Sequence, residues 1–259
     1  MLTVIERRQK IVEETNELGK VDVFELAKKY LVSTVTIRND LNGLDKKGLI
    51  VRSRGGAVIY NRTTKELSIK EKHCEHLVVK QKLAIVAASL VNDGESIILD
   101  SGTTTEEIAK QLQNYKNLIV MTNGLNVASE LVVGEENEVM VTGGTLRQKS
   151  LSFSGPQAEA SLENLYFDKL FLGVDGVDEK AGLTTYFAQE ANLNRMMCKI
   201  SREVIVITDS SKFKRKGFYV IRSLDAIDTL ITDSRIPQSY KDYLENKDVK
   251  LIIVPHPDD

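Results

Sequence analysis

The sequence predicts an α/β protein in two parts, an N-terminal winged helix-turn-helix followed by a larger α/β domain. Three observations carry that expectation. Apolar residues recur at helical spacing through the first fifty residues, a basic glycine-rich hairpin pattern closes that stretch, and beyond residue 77 continuous apolar runs alternate with helical ones. At 259 residues, with 42% hydrophobic and 28% charged content, the chain can bury a large core and does not have the composition of a disordered protein.

In the head, Val4, Ile5, Ile11, Val12 and Leu18 recur at helical spacing and stop at Gly19. Val23, Leu26, Ala27 and Tyr30 follow at i, i+3, i+4 and i+7. After a tight "LVS" connection Ser33 can cap a third helix whose inner stripe is Ile37, Leu41 and Leu44, ending at Gly48. Burying those three turns Val35, Arg38, Asn39, Asn42 and Lys46 outward. "LIVRSRGGAVI", residues 49–59, reads as a hairpin around Arg52, Arg54, Gly55 and Gly56.

That order of elements points to double-stranded DNA. On the third helix Arg38 suits a bidentate pair with guanine, Asn39 or Asn42 suits adenine, and Val35 suits a thymine methyl. Ser33, Thr34 and Thr36 lie near a helix N-terminus that favours phosphate oxygens, Lys46 shares the outward face, and Arg52 and Arg54 suit the DNA backbone or minor groove. The alternative is a solvated face on an ordinary helical bundle, against which the short turn, the cap and the basic hairpin stand together. A formal net charge of -2 alone argues against nucleic acid, but residues 1–60 carry 11 Lys+Arg against 8 Asp+Glu, leaving 24 against 29 for the rest.

Residues 61–76, "NRTTKELSIKEKHCEH", lack an apolar stripe and read as a linker between a head of residues 1–60 and a body of residues 77–259. His73, Cys74 and His76 within it have no distant partner cluster, so no metal and no cofactor are expected. The two cysteines show no framework spacing, and no apolar run is long enough for a membrane span or a signal peptide, so a cytoplasmic protein is expected.

The runs "ESIILD", "NLIVMT", "EVMVTGG", "KLFLGVD", "EVIVITD", "TLITD" and "VKLIIV" read as buried strands of a largely parallel sheet. Ligands of open α/β sheets gather at strand carboxyl ends. There the sequence places Asp100 and Ser101-Gly102-Thr103-Thr104-Thr105, then Asn123-Gly124, then Gly143-Gly144, then Asp175-Gly176 with Asp178, and finally Lys212. Glycine- and hydroxyl-bearing turns with a lysine suit a phosphate, and the acids suit hydroxyls, so a sugar phosphate fits this rim. Each turn taken alone reads more readily as an ordinary capped loop, but their recurrence at five successive strand ends favours a shared pocket.

These motifs resemble the DeoR family of bacterial sugar-metabolism regulators nearly end to end. "VSTVTIRNDLNGLDKKGLIVRSRGGAV" is similar to the family's DNA-binding signature. "ILDSGTTTEEIA", "MTNGLNVA", "VTGGTLR", "SFSGPQAE", "FDKLFLGVDGVD", "GLTT", "EANLNRMM" and "VITDSSKF" resemble its effector-domain motifs in order. The resemblance implies a transcriptional regulator, most often a repressor, that acts as a homodimer or homotetramer under a phosphorylated sugar. Within the family the likeness is to repressors of N-acetylgalactosamine and galactosamine catabolism, which implies an amino-sugar or ketose phosphate. The chain departs from that branch with Tyr186-Phe187 where His-Asn is expected and Ala188-Gln189 where acids are expected. The body also resembles ribose-5-phosphate isomerase, whose phosphate turn, Asp-Gly-Ala-Asp motif, lysine and glutamate base correspond to Ser101–Thr105, Asp175–Asp178, Lys180 and Glu190. That likeness supplies an alternative, an aldose-ketose isomerase with Glu190 moving the proton. A DNA-binding head gives the body a sensing role instead, so no enzyme activity is expected and Glu190 joins the effector rim.

Overall fold

The computed structural model describes residues 3–18, 20–46, 49–53, 55–59, 67–134 and 136–259. They fall into two compact units, Met1–Glu66 and Leu67–Asp259.

The first unit runs α1 (Val4–Leu18), β1 (Lys20–Asp22), α2 (Val23–Tyr30), α3 (Thr34–Lys46), β2 (Ile50–Ser53) and β3 (Gly56–Ile59). Ile11, Leu26, Ile37, Leu41, Leu44, Ile50 and Ala57 form its core, as the stripes of α2 and α3 predict, whereas Val4 and Leu18 of the expected α1 stripe are exposed at its two ends. β1 departs from the expected order. It pairs with β3 and makes the hairpin a three-stranded antiparallel sheet, β1-β3-β2. This close pairing requires glycine at position 56, because a Cβ there would stand 2.0 Å from the Val21 carbonyl oxygen. Asp22 then ends the strand and starts α2, its carboxylate accepting from the Phe24 and Glu25 N–H groups at 2.7 and 3.3 Å. Leu31, in the left-handed region at φ 54°, turns the chain from α2 into α3. Gly19 and Gly48, the expected ends of α1 and α3, lie outside the described residues, as does Arg54.

The second unit opens with α4 (Ile69–Cys74) and α5 (Leu77–Ala88). The linker expectation of residues 61–76 therefore needs correcting at its far end. Residues 61–66 lie outside the described part, but Ser68 and Glu71 form a reciprocal capping box that starts α4 within the second unit. Next come β4 (Ser96–Leu99), α6 (Thr103–Gln111), β5 (Ile119–Thr122), α7 (Leu125–Leu131) and β6 (Glu138–Val141), followed by the hairpin β7 (Thr145–Arg147) and β8 (Ser152–Ser154). Then follow α8 (Pro156–Ala160), β9 (Phe167–Leu172), β10 (Gly176–Asp178), β11 (Gly182–Thr185), α9 (Ala188–Lys199) and β12 (Ser201–Ile207). The chain closes with β13 (Tyr219–Arg222), β14 (Thr229–Asp233), α10 (Gln238–Glu245) and β15 (Lys250–Val254).

All seven runs read as strands join one sheet in the order β15-β14-β12-β9-β4-β5-β6, and every pairing within it is parallel. Both faces are covered. Ile98, Leu170, Leu172, Val204 and Val206 belong to one core, whereas Ile97, Leu99, Phe171, Ile205 and Ile207 belong to another, the alternation that a two-sided sheet requires. From the central β4/β9 pair the strand order proceeds one way through β5 and β6 and the other way through β12, β14 and β15. Strand order reverses there, and such a switch point opens a crevice at the strands' carboxyl ends.

Candidate DNA-binding and effector sites

On α3, Ile37 and Leu41 are fully buried, while Val35 is 60% exposed and Arg38, Asn39 and Asn42 are also exposed. The 3.6-residue period separates the two sets as expected. Ser33 caps the helix: its Oγ accepts from the Thr36 N–H at 3.0 Å and lies 2.9 Å from the Thr36 hydroxyl. Thr34 is half-buried beside it. Lys46 ends the helix, and its side chain lies outside the described residues. Arg52 is partly committed to the wing itself, its guanidinium donating to the Gly56 carbonyl at 2.7 Å.

Asp40 sits amid this outward face in sequence yet is 2% exposed. Its two oxygens accept from Arg7 Nε at 2.6 Å and Arg8 Nε at 2.8 Å, both from α1. Arg7 is buried with it. Two guanidiniums on one carboxylate fix α3 against α1, and with it the direction in which Arg38 and Asn39 point.

In the second unit the switch-point crevice holds a cavity of about 80 Å³. Of the expected effector residues it gathers Asp100, Ser101, Gly102, Thr103, Thr104, Thr105, Asp175, Glu190 and Lys212. Gly102 occupies the N-cap of α6 and has no side chain to cap it, so the helix's first N–H groups remain oriented for an anion. Asp100 is buried, and one carboxylate oxygen, Oδ1, has no hydrogen-bond partner among the described residues. Burial holds its carboxyl well above the usual range, with the nearby Glu190 and Asp175 charges adding to the effect.

Six expected residues are placed elsewhere. Asn123 is buried behind the cavity and braces Ser101, its amide donating to the Ser101 Oγ and the Phe153 carbonyl, each at 3.4 Å. Gly124 is the N-cap of α7. Gly143 and Gly144 turn the chain between β6 and β7. Gly176 packs against the Arg215 carbonyl, and Asp178 closes its own turn by accepting from the Lys180 and Ala181 N–H groups.

Lys72, Lys80, Ser150, Thr185, Asn194 and Asp209 line the cavity without having been singled out in the sequence. Lys80 carried a legible signal: at i, i+3, i+4 and i+7 with Leu83, Ala84 and Ala87, it stands on the buried face of α5. Burial lowers its pKa to about 8, although Asp209 pulls the other way. Lys212 is also lowered by burial and partly restored by Asp209 and Asp175. Burial is the largest influence on Asp175 and Asp209 and works against their ionisation, but Lys72, Lys212 and the Thr185 hydroxyl around Asp175, and Lys212, the Ser211 hydrogen bond and Lys80 around Asp209, together keep both below their ordinary range. Glu190 accepts from Ser150 Oγ at 2.8 Å and Ser152 Oγ at 2.6 Å, with Arg147 Nη1 at 3.6 Å. The departed motif explains part of this, since Phe187 places its ring 4.4 Å beneath that same guanidinium. Among the described residues, no group of three or more His, Cys, Asp or Glu is placed to hold a metal, and no helix is long and apolar enough to cross a membrane.

Comparison with known proteins settles the family. Residues 7–63 match the DeoR-like helix-turn-helix domain, and residues 75–234 match the DeoR C terminal sensor domain. The chain belongs to the DeoR family. It is a DNA-binding transcriptional regulator with a mixed α/β sensor domain. A protein of Escherichia coli O157:H7 assigned as an aga operon transcriptional repressor is 45% identical over 96% of this chain and 93% of its own length. The glycerol-3-phosphate regulon repressor of Escherichia coli K12 is 30% identical over 95% of this chain and 97% of its own. Both relatives are named as regulators of transcription. Among solved structures, ribose 5-phosphate isomerase A from Methanocaldococcus jannaschii aligns with TM-score 0.40 at 19% identity, covering 54% of this chain and 55% of that one. At that distance no chemistry transfers.

Proposed function

We propose that this DeoR-family regulator represses a sugar-catabolic operon in the cytoplasm, binding its operator as a homodimer or homotetramer until a sugar phosphate occupies the switch-point cavity. The observation that carries the sensing role is the convergence of Lys80 and Lys212 with the uncapped start of α6 on one cavity that also holds Asp100 and Asp175. Cations and helix N–H groups suit the phosphate, and the carboxylates suit hydroxyls. Likeness to the aga operon protein favours an amino-sugar or ketose phosphate.

In the head, Arg38, Asn39, Asn42 and Val35 read base edges, and Ser33, Thr34, Thr36, Lys46, Arg52 and Arg54 meet the backbone. Ligand then weakens operator binding by its preference for the released arrangement, a coupling of about 1–3 kcal/mol.

Sensing is favoured over isomerisation because Glu190, the candidate base, is held by two hydroxyl donors and Arg147 on the same oxygen, and Lys180 does not line the cavity. Fluorescence anisotropy on the DNA upstream of the operon, titrated with galactosamine 6-phosphate, N-acetylgalactosamine 6-phosphate and tagatose 6-phosphate, tests both readings when product is assayed alongside. Release without turnover is expected. Turnover without DNA binding at low salt would replace the regulator with the isomerase.

A further inference from the structure

α4 is the first helix of the second unit, so it is the element that follows the DNA-binding unit along the chain. It has little apolar anchorage of its own. Ile69 is its one buried residue, and the Ile69 N–H donates to the Lys149 carbonyl at 2.7 Å. His73 stands beside α6, its Nδ1 3.7 Å from a Glu106 carboxylate oxygen, and Lys72 faces the cavity, where it is gripped at both ends. The Lys72 ammonium lies 2.6 Å from Asp175 Oδ1, and the Lys72 carbonyl accepts from the Lys80 ammonium.

Both grips belong to the cavity wall. Asp175, Lys80, Ile69 and Lys72 itself all line it, and Asp175 Oδ2 accepts in addition from Thr185 Oγ1 at 2.9 Å. Both groups that grip Lys72 are therefore groups that a polyol phosphate would engage. A sugar hydroxyl donating to Asp175 Oδ1 competes with the Lys72 ammonium, and a phosphate drawing in the Lys80 ammonium takes the donor from the Lys72 carbonyl.

We propose that Lys72 is the positioning residue through which cavity occupancy is reported to the DNA-binding unit: ligand exchanges with Lys72 for Asp175 and Lys80 and loosens α4. This rests on the sugar-phosphate reading of the cavity and adds to it a named exchangeable contact. Lys72 acts by holding the helix, not by reading the sugar. Its loss uncouples the two activities while leaving each in place.

The test uses the full chain as wild type, Lys72→Met and Lys72→Arg, with the same three sugar phosphates. Hydrogen exchange is followed in residues 69–76 and in the central strands, sugar binding by calorimetry and operator binding by anisotropy. In wild type, saturating ligand should speed exchange in α4 by about tenfold or more while β4 and β9 stay protected. In Lys72→Met, α4 should exchange fast without ligand, sugar should bind within about tenfold of wild type, and the ratio of operator Kd with and without ligand should fall to within about twofold of one. Lys72→Arg, which keeps the charge and can reach the carboxylate, should restore part of that ratio.

The proposal is overturned if Lys72→Met keeps the wild-type ratio, if ligand slows or leaves unchanged α4 exchange, or if Lys72→Met raises exchange in the central strands as much as in α4. If none of the three sugars binds wild type, the effector reading fails separately. The hold of Lys72 on α4 is then decided by the exchange of Lys72→Met alone, and protection equal to wild type there overturns it.

Discussion

The two units bury charge in opposite ways. In the DNA-binding unit Asp40 has both oxygens answered by Arg7 and Arg8, so the ionic cluster is closed. In the sensor unit Lys72, Lys80, Lys212, Asp175 and Asp209 meet around a cavity, and Asp100 Oδ1 has no hydrogen-bond partner among the described residues. A closed cluster specifies one geometry, which suits a helix that must present Arg38 and Asn39 in a fixed direction. An open cluster costs stability, which suits a site whose remaining partners come with a ligand.

The closed cluster breaks hardest. Asp40→Ala leaves buried Arg7 without its carboxylate and should cost about 3–5 kcal/mol, enough to unfold much of the head, read as an early separate transition in a thermal melt and loss of operator binding. Sugar binding by the second unit should persist. A melt superimposable on wild type would mean that the pair does not fix α3.

The open cluster should respond with the reverse sign. Lys80→Met removes a buried ammonium and should raise the stability of the sensor unit by about 1–3 kcal/mol while weakening sugar-phosphate binding by about tenfold or more. The pH dependence follows from the lowered pKa. Unfolded lysine keeps its proton up to about 10.5 and folded Lys80 only to about 8, so the cost is fully present below about pH 8 and is relieved as pH rises to about 10.5. Wild type should therefore approach Lys80→Met in stability across that window, and its affinity for the sugar phosphate should fall over the same range. Equal melting curves for the two proteins at neutral pH would remove the buried charge from the account.

Smaller effects sharpen the head. Arg38→Ala should weaken operator binding by about 1–3 kcal/mol and flatten its sequence preference without changing the melt, because the side chain is exposed. An unchanged footprint would move the recognition surface away from α3.

What the sequence revealed follows the same division. Long apolar runs declared all seven parallel strands, because a strand covered on both faces has no polar positions to hide it. β1, β7, β8, β10, β11 and β13 were missed: each has three or four residues and draws its order from neighbouring backbone more than from its own pattern. The helical stripe found the exposed side of α3 but could not show that Asp40 turns inward to two arginines more than thirty residues earlier. Ser101–Thr105 and Lys212 were legible as strand-end chemistry. Lys72 was not, because α4 buries only Ile69 and its charged residues resemble those of a linker.

The most direct measurement sets wild type and Lys80→Met side by side on operator DNA and titrates each with the sugar phosphate that releases wild type. An anion-sensing cavity predicts that both proteins bind DNA and that Lys80→Met needs about tenfold or more ligand for release. Release of both at the same ligand concentration would show that the effector acts somewhere other than this cavity.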